Sequence, residues 1–517
     1  MRSLLAIAIS IALLAMAFLP HSGAQVSAAQ VDFAAQWDHV TRTSVTVPTT
    51  QHLANAFTVR SSTLNKRLLA DLRDLHTNDT RLQLWFSVPL QAIPELSAPT
   101  ATQAFWDFTY IDPVVEDFFT NTEGKHHINV GTIPRWMFNV PAIQLPTNPT
   151  GSSYQYAEGT KGDLLKDPTG RQFGEYQARI FAWYTQGGFT DELGKFHKSP
   201  YHYKIDYWGV MNEPSLENHL TPEQYTRFYD QTVIAIRKID PHMEFFGPEI
   251  VGASYLIPFA TYFLNPKNHA PAALPIKWFS LHNYILSDNN PADWQKAYFT
   301  GSADQFGDTA AAFVDRLRAV MKVRDELSPK TEIAIDELGT FDLVKPSDNV
   351  AQADEPYSAY NPLYWVATGG NWAANFIAAE RLGIPLISMT QMVGALTQSE
   401  SCSMIDWDTA APNAHYWVLY LVDENFGPGD KLVSTTSPSP DIVAQASITA
   451  RGRKLLLVNT SDHAVPVPLS GVFAAGPLKA QIVDEASAEN PPRTDHLAGP
   501  SIQLAPFAVA VVSNAER

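Results

Sequence analysis

The sequence predicts an α/β protein, a (β/α)8 TIM barrel followed by a C-terminal antiparallel β-sandwich domain. From about residue 80 to 425, short β-like runs alternate with helix-like stretches, which is the βαβ signature of a parallel sheet. Beyond about residue 430, alternating apolar runs follow one another with turns and no helical pattern between them, as in a sandwich. The chain has 517 residues, of which 45% are hydrophobic. That is enough for one large barrel core and a smaller second domain.

Seven segments are predicted as barrel strands because they are short, mostly apolar and separated by helical patterns. They are Leu82–Phe86, His127–Val130, Tyr207–Met211, Glu244–Phe246, Trp278–Leu281, Glu332–Ile335 and Leu386–Met389. The stretch 30–60 fits strands of either domain.

The clearest helix follows the third predicted strand. Thr221 supplies a capping residue, Pro222 stands at the first helical position, and Gln224 completes a capping box. Apolar residues then recur at helical spacing as far as Ile236. The same spacing predicts helices over Ala310–Leu327 and Trp372–Leu382.

The C-terminal part begins with a Ser/Thr/Pro-rich stretch, Ser434 to Pro440, which predicts a linker. The strands expected beyond it are Ile442–Thr449, Lys454–Asn459, Val465–Leu469, Ala480–Val483 and Ala505–Val512. We therefore predict a barrel over residues 25–430 and a β-sandwich over residues 431–517.

Residues 1–24 predict a signal peptide. Arg2 gives a positive start, Leu4 to Leu19 is an almost unbroken apolar run, and small residues follow Pro20. The run is shorter than the ~20 apolar residues that a membrane span needs, so an uncleaved anchor is the weaker alternative. Cleavage after Ala24 or Ala29 predicts a secreted or periplasmic protein without a membrane partner.

The net charge of −17 argues against nucleic acid and against highly sulfated polyanions, which usually require a basic stripe. The basic cluster Arg451-Gly452-Arg453-Lys454 is interpreted as a hairpin turn. The single cysteine, Cys402, excludes an internal disulfide. The histidines His126-His127 and His269 lack metal-ligand spacing, and no Gly-rich phosphate loop is evident, so neither a metal nor a cofactor is expected.

Two glutamates stand where predicted strands end, at the face that forms the active site in barrels. Glu213 follows the strand Tyr207–Met211, and Glu337 follows the strand Glu332–Ile335. A carboxylate there costs free energy unless it is paired or used. Glycoside cleavage needs one protonated carboxyl group for the leaving oxygen and one ionised carboxylate for C1. Each glutamate alone fits a structural ion pair or a helix cap, but the two together predict an acid/base, Glu213, and a nucleophile, Glu337.

In the segments around these two glutamates, the chain resembles clan A glycoside hydrolases. The segment Trp208 to Pro214, its following helix and Phe246-Gly247-Pro248 look like that clan's fourth and fifth barrel strands. Within the clan the chain is most similar to family 39, the group of β-xylosidases, α-L-iduronidases and some bacterial exopolysaccharide hydrolases. Other segments that resemble the clan are Asn129–Trp136, Ser280–Tyr284 and Ile335–Glu337.

The resemblance implies a retaining double displacement on a plant or microbial polysaccharide or oligosaccharide. Glu213 would protonate the departing oxygen and later deprotonate water, while Glu337 would form the glycosyl-enzyme. By the same match Asn212 would bind the sugar 2-hydroxyl, Tyr284 would orient the nucleophile, and His282 would lie at the rim of the site. Each of these residues also has a purely structural interpretation. Asn212 could cap the following turn, His282 could be a hydrogen-bonded core histidine, and Tyr284 could simply pack in the core.

The role of Trp136 and two alternative functions stay open. Trp136 follows a strand end and offers a ring for sugar stacking, although large aromatic residues more often fill cores. The segments Ala378–Pro385 and Tyr416–Tyr420 look like family 79 of the same clan, which implies a β-glucuronidase. A non-catalytic glycan-binding barrel is the hypothesis from another class, since fold does not dictate function.

Overall fold

The computed structural model describes residues 33–151, 153–287, 290–300, 310–342, 360–394, 400–437, 439–487 and 489–515. The signal peptide predicted over residues 1–24 lies outside these ranges. Within them, none of the helices combines the length and the apolar character needed to cross a bilayer.

The strands of these ranges fall into a parallel set and an antiparallel set. Their bounds are β1 (Ala35–Thr43), β2 (Val47–Leu53), β3 (Asp79–Leu84), β4 (Lys125–Val130), β5 (Gly188–Thr190), β6 (Phe196–Lys198), β7 (Tyr207–Val210), β8 (Glu244–Phe246), β9 (Trp278–Ser287), β10 (Glu332–Asp342), β11 (Leu386–Met389), β12 (Lys431–Thr435), β13 (Ile442–Thr449), β14 (Gly452–Asn459), β15 (Val465–Pro468), β16 (Leu478–Val483), β17 (Arg493–Leu497), β18 (Ser501–Leu504) and β19 (Val509–Asn514).

The helices alternate with the parallel strands. They are α1 (Asn65–Asp74), α2 (Pro89–Ala92), α3 (Asp112–Asn121), α4 (Arg171–Thr185), α5 (Pro214–Glu217), α6 (Pro222–Arg237), α7 (Ala253–Phe263), α8 (Pro291–Trp294), α9 (Ala310–Leu327), α10 (Pro362–Leu382) and α11 (Ala414–Asp423).

Eight parallel strands form the barrel, in the order β8-β7-β4-β3-β2-β11-β10-β9. The ring closes between the segment after β8 and β9. Ile250 bridges to Leu281 in parallel, and the Ser280 and His282 amides donate to the Gly247 and Ile250 carbonyls at 3.0 and 2.9 Å. Because strands of neighbouring βα units lie side by side around the ring, their carboxyl ends meet at one face. The predicted (β/α)8 fold is confirmed.

The first barrel strand, β2, has no counterpart among the seven predicted strands. Its sequence, VPTTQHL, contains two threonines, a glutamine and a histidine, yet every residue from Pro48 to Leu53 is buried. Prediction from hydrophobic patterning fails here because the strand directs polar side chains into the barrel interior, where they contact other polar side chains. The same interior explains why the prediction began β3 at Leu82 and omitted Arg81.

Helix α6 forms as its sequence predicts. The Thr221 side chain accepts from the Gln224 amide, and the Gln224 side chain accepts from the Thr221 amide, so the capping box is confirmed. Helix α10 begins at Pro362, ten residues before the predicted start. A Gly-Gly pair inside it weakens the helical pattern, but a Cβ at Gly369 would lie 2.7 Å from Val418 of α11. The glycine therefore allows two helices to approach closely.

The second domain is an antiparallel sheet of seven strands, ordered β1-β12-β13-β14-β19-β16-β17, with the ribbon β15–β18 packed over it. Strand β1 pairs with β12, so the two halves of the ambiguous stretch 30–60 go to different sheets. The linker expected from Ser434 is wrong for its first two residues, because β12 extends to Thr435 between two partner strands. Strands β17 and β18 were not predicted, since four of their nine residues are exposed. The boundary at residue 430 stays a prediction.

Candidate active site

The two predicted catalytic glutamates meet at the carboxyl ends of the barrel strands. Glu213 lies three residues after the end of β7, and Glu337 lies in β10. One ligand oxygen of each carboxylate and one ring nitrogen of His282 all lie within 4.8 Å of one another. Retaining glycosidases hold their two carboxyl groups about 5–5.5 Å apart, whereas inverting enzymes leave room for a water at about 6.5–9.5 Å.

A β-bulge in β10 directs Glu337 into the site. Ile335 pairs with Leu281 of β9 and Glu337 pairs with the next residue, His282, so Asp336 is an extra residue in the strand. A bulge re-aims side chains, and here two consecutive acids both approach one imidazole. The His282 Nδ1 to Glu337 Oε2 distance is 3.4 Å, and the His282 Nε2 to Asp336 Oδ1 distance is 3.5 Å.

Three donors from three strands hold the Glu337 carboxylate. Tyr284 donates its hydroxyl to Oε2 at 2.5 Å, Gln51 donates its amide to Oε1 at 3.0 Å, and Arg81 pairs with Oε1 through its guanidinium. Burial opposes ionisation of this carboxyl group, but the positive charges of His282 and Arg81 and the tyrosine hydroxyl outweigh it. The pKa of Glu337 is therefore lowered, and the group is ionised at neutral pH.

Glu213 has a different environment. Its backbone lies in the left-handed region, with φ of 41°, and its side chain is 14% exposed, so it is the more accessible of the two acids. The His282 ring lies 2.8 Å from its Oε1 atom. Burial raises the pKa of Glu213, the imidazole opposes that effect, and the negative charge of Glu337 adds to it. The net shift is upward, as a proton donor requires.

His282 joins both acids and is fully buried. Burial would lower its pKa, but the charges of Glu337 and Asp336 raise it well above its ordinary value. The ring is therefore an imidazolium that balances part of the negative charge of the site. The structure places it between the two glutamates, closer to their reacting atoms than the rim position expected from the sequence.

Asn212 is buried beside Glu213 and joins two other side chains. Its Oδ1 atom accepts from Arg81 at 3.0 Å, and its amide donates to Glu217 Oε1 at 2.7 Å. The Trp85 indole donates to the same oxygen at 2.7 Å. Burial and the charge of Glu213 raise the pKa of Glu217 well above its ordinary value. Glu217 is thus a further carboxyl group at this face, which sequence reasoning missed because it lies in the short helix α5.

Arg81 is the central cation of the site and was also missed. It is 2% exposed, lies between Gln51 and His127 in the register of β2, β3 and β4, and pairs with both Glu337 and Glu249. A buried charge of this kind is rare unless it is paired. An arginine alternating with Gln83 in a short buried strand is the signal that could have revealed it.

Glu249 is an acid of the loop after β8, where a solvated position would be the default, yet it is buried in the site. Its exposed fraction is 0%, its φ is 51°, and the Asn129 amide donates to its Oε2 atom at 2.6 Å. Burial raises its pKa to about 8, against the charge of Arg81. A Cβ at Gly209 would lie 2.4 Å from Glu249 Oε1, so the glycine leaves room for this carboxyl group.

Trp136 stands apart from this cluster. It lies in a 3-10 turn after β4, where its indole donates to the Glu95 carbonyl at 2.7 Å and its ring packs partly against the core. The described contacts of Trp136 join it to neither glutamate.

Two sets of side chains have ligand atoms within 4.8 Å of one another and could hold a metal ion. They are Glu213, His282 and Glu337, and Glu249, His282 and Asp336. In both sets the histidine is an imidazolium, and Arg81 already pairs with one of the acids. A cation would have to displace that charge, so these groups fit proton transfer and nucleophilic attack better than metal binding.

Residues 440–512 match the family described as the D-apionate lactonase, C-terminal immunoglobulin-like domain. No curated protein matches the chain.

Solved structures match over nearly the whole chain. A conserved exported protein from Bacteroides fragilis is 12% identical, covers 93% of this chain and 100% of its own, and has a TM-score of 0.60. The GH51 α-L-arabinofuranosidase of Thermotoga petrophila RKU-1 is 16% identical, with 92% and 97% covered and a TM-score of 0.56. The catalytic domain of GH30 xylanase C from Talaromyces cellulolyticus is 12% identical, with 93% and 99% covered and a TM-score of 0.55. At these identities the likeness establishes a fold: this chain shares the barrel and the C-terminal β domain of glycosidase structures.

Proposed function

We propose that this protein is a retaining glycosidase that cleaves O-glycosidic bonds of a polysaccharide or oligosaccharide by double displacement. The observation that carries the proposal is the pair Glu213 and Glu337. Their oxygens lie within 4.8 Å of each other, at the carboxyl ends of barrel strands, and their pKa values are shifted in opposite directions. Two carboxyl groups with this division of protonation are what glycoside cleavage requires.

In the first step, the ionised Glu337 carboxylate attacks the anomeric carbon while the protonated Glu213 gives its proton to the departing oxygen. This forms a covalent glycosyl-enzyme and releases the leaving group as an alcohol. In the second step, Glu213 takes a proton from water, and the resulting oxygen nucleophile displaces Glu337. Tyr284, Arg81 and Gln51 hold the attacking carboxylate in place throughout.

Asn212 lies beside the acid/base and, in this proposal, would contact the 2-hydroxyl of the bound sugar. His282 contacts both glutamates. Its positive charge therefore stabilises ionised Glu337, and it responds to the protonation state of Glu213. We retain Trp136 as a candidate stacking surface for a sugar farther along the cleft. These roles extend the resemblance to clan A, and the placement in family 39 rests on the sequence motifs alone.

The charges around the pair favour a neutral sugar at the point of cleavage. Among the described residues, Arg81 and His282 are the cations in contact with the glutamates, and both are already paired with acids. A uronate carboxylate placed there would be repelled by the ionised Glu337 carboxylate. We therefore infer a xyloside, arabinoside or glucoside in preference to the glucuronide of the family 79 alternative. Export by the signal peptide predicted over residues 1–24 would place the enzyme with an extracellular or periplasmic glycan.

The proposal is tested by trapping the covalent intermediate. The protein is incubated with activated 2-deoxy-2-fluoro xyloside, arabinoside, glucoside, galactoside and glucuronide, and its intact mass and peptide map are measured. We expect one adduct, on Glu337, from a neutral sugar, and none in the Glu337→Gln variant. An adduct on another residue contradicts the nucleophile assignment. A protein that forms no adduct and leaves oligosaccharides uncleaved is a non-catalytic glycan-binding barrel instead.

A further inference from the structure

A polar cavity of about 510 Å³ lies between the end of α11 and the seven-stranded sheet. We call it the basic pocket and define it by the side chains that line it with charge or an aromatic ring: Tyr420, Glu424, Arg451, Arg453, Lys454 and Lys479. Barrel helices run back from the carboxyl ends of the strands. The end of α11 therefore lies at the opposite end of the barrel from Glu213 and Glu337, and the pocket belongs to another site.

The sheet register brings two of the cations into one row. Lys454 of β14 pairs with Ser513 of β19, and Ser513 pairs with Lys479 of β16. The two lysines therefore lie on one face of the sheet with one strand between them, and their like charges repel each other. A hairpin joins β13 to β14, but its turn closes where Thr449 pairs with Gly452, so the turn predicted at residues 451–454 lies too far along the chain. Arg451 and Arg453 line the same rim.

Lys454 is the buried member of the pocket. It is 6% exposed, and its ammonium group donates to Asn425 Oδ1 at 2.5 Å. Burial and the positive charge of Arg451 lower the pKa of Lys454 to about 8. An anion bound beside this lysine would stabilise its charged form.

The lining combines this positive charge with hydrogen-bonding groups. Four cations outnumber the one carboxylate of the lining, Glu424, which lies 3.8 Å from the Arg451 guanidinium, in a chain whose net charge is −17. The negative charge of Asp430 also acts on Lys454. The amide of Gln481, the hydroxyl of Thr494 and the amide of Asn514 add neutral donors and acceptors, and Tyr420 adds a ring. The volume falls within the range of about 300–1,000 Å³ that is typical of small-molecule sites.

We propose that the basic pocket binds a carboxylate-bearing saccharide, with a uronate residue held by Arg451 and Lys479. Arginine binds carboxylates through a planar pair of N–H groups, and the amides and hydroxyls suit sugar hydroxyl groups. The saccharide part of this assignment rests on the proposed function, whereas the anion part rests on the lining itself. The pocket would hold an acidic stretch of a glycan whose neutral bonds are cleaved at the other end of the barrel.

The test is isothermal titration of trigalacturonate into the Glu337→Gln protein, which keeps the pocket and lacks the proposed nucleophile. The same titration uses the neutral trimethyl ester of that trisaccharide and sodium sulfate. A double variant, Arg451→Gln/Lys479→Gln, removes two rim charges from side chains that are not fully buried. A matched control, Lys238→Gln/Lys330→Gln, removes two exposed cations from the barrel.

We expect trigalacturonate to bind, salt to weaken it, and the pocket variant to reduce affinity by about tenfold or more, the effect of one charged hydrogen bond. The control variant should bind as well as its parent. The proposal is overturned if trigalacturonate does not bind, or if the pocket variant binds it equally well. Equal binding of the methyl ester would make the pocket a neutral-glycan site, and equal binding of sulfate an inorganic-anion site; either result refutes it. Because binding is read without turnover, failure here leaves the proposed glycosidase function untouched.

Discussion

Replacing Tyr284 by phenylalanine removes one hydroxyl group and leaves the ring in place. That hydroxyl donates to Glu337 Oε2 at 2.5 Å, and the tyrosine is 7% exposed, so water cannot readily take its place. A hydrogen bond to a charged group contributes about 1.5–3 kcal/mol. Because one pKa unit corresponds to about 1.36 kcal/mol, losing the bond should raise the pKa of Glu337 by about 1–2 units.

The expected result is a shift in the acidic limb of the pH–rate profile. Glu337 must be ionised to attack, so the acidic limb of kcat/KM should move to higher pH by about 1–2 units in the Tyr284→Phe variant. The rate at the optimum should fall about tenfold or more, because the carboxylate is also less well oriented. The assay is hydrolysis of the aryl glycoside that labels the enzyme best, measured across pH.

Tyr416→Phe is the matched control. Its hydroxyl donates to the Asp71 carbonyl at 2.8 Å, between α11 and α1, so its loss removes a hydrogen bond of ordinary strength away from the glutamates. The control should leave both limbs of the profile in place. If Tyr284→Phe lowers the rate without moving the acidic limb, the tyrosine does not stabilise ionised Glu337, and the nucleophile assignment loses its electrostatic support.

Three further variants probe the other charges of the site. Glu213→Gln should abolish the alkaline limb and reduce turnover by about 10²–10⁴-fold for alkyl glycosides, with a much smaller loss for activated aryl glycosides that need no proton; equal losses would contradict its role as acid. Arg81→Met should lower the free energy of unfolding by about 3–5 kcal/mol in chemical denaturation, because it removes the buried cation that pairs with Glu337 and Glu249; an unchanged value would show that the guanidinium is dispensable. Burial raises the pKa of Glu249 to about 8, so the folded state binds the extra proton and stability is lost as pH rises toward about 8. Glu249→Gln should therefore reduce the fall in thermal midpoint between about pH 5 and pH 8, and an unaltered fall would show that Glu249 does not titrate there.

The sequence predicted best where one local signal and the tertiary structure agree. The capping residues of α6 satisfy their own helix end, and the apolar runs of β7, β9 and β11 are buried strands as their composition requires. Asn212 and Glu213 were identifiable because polar residues directly followed an apolar strand. Prediction failed for β2, whose buried face carries Gln51, because hydrophobic patterning has no signal for a strand that lines a polar barrel interior.

By itself, the sequence determined the alternation of strands and helices, the change to an antiparallel domain, and the two strand-end glutamates that suggest a chemistry. Tertiary structure alone decided how those groups differ. Arg81 lies 256 positions from Glu337 in the chain, yet the barrel register places them in contact, and a bulge at Asp336 turns two neighbouring acids toward one histidine. A pKa depends on the desolvation and the charges that surround a group in space. For that reason, the opposite shifts of Glu213 and Glu337 exist only once the ring of strands is closed.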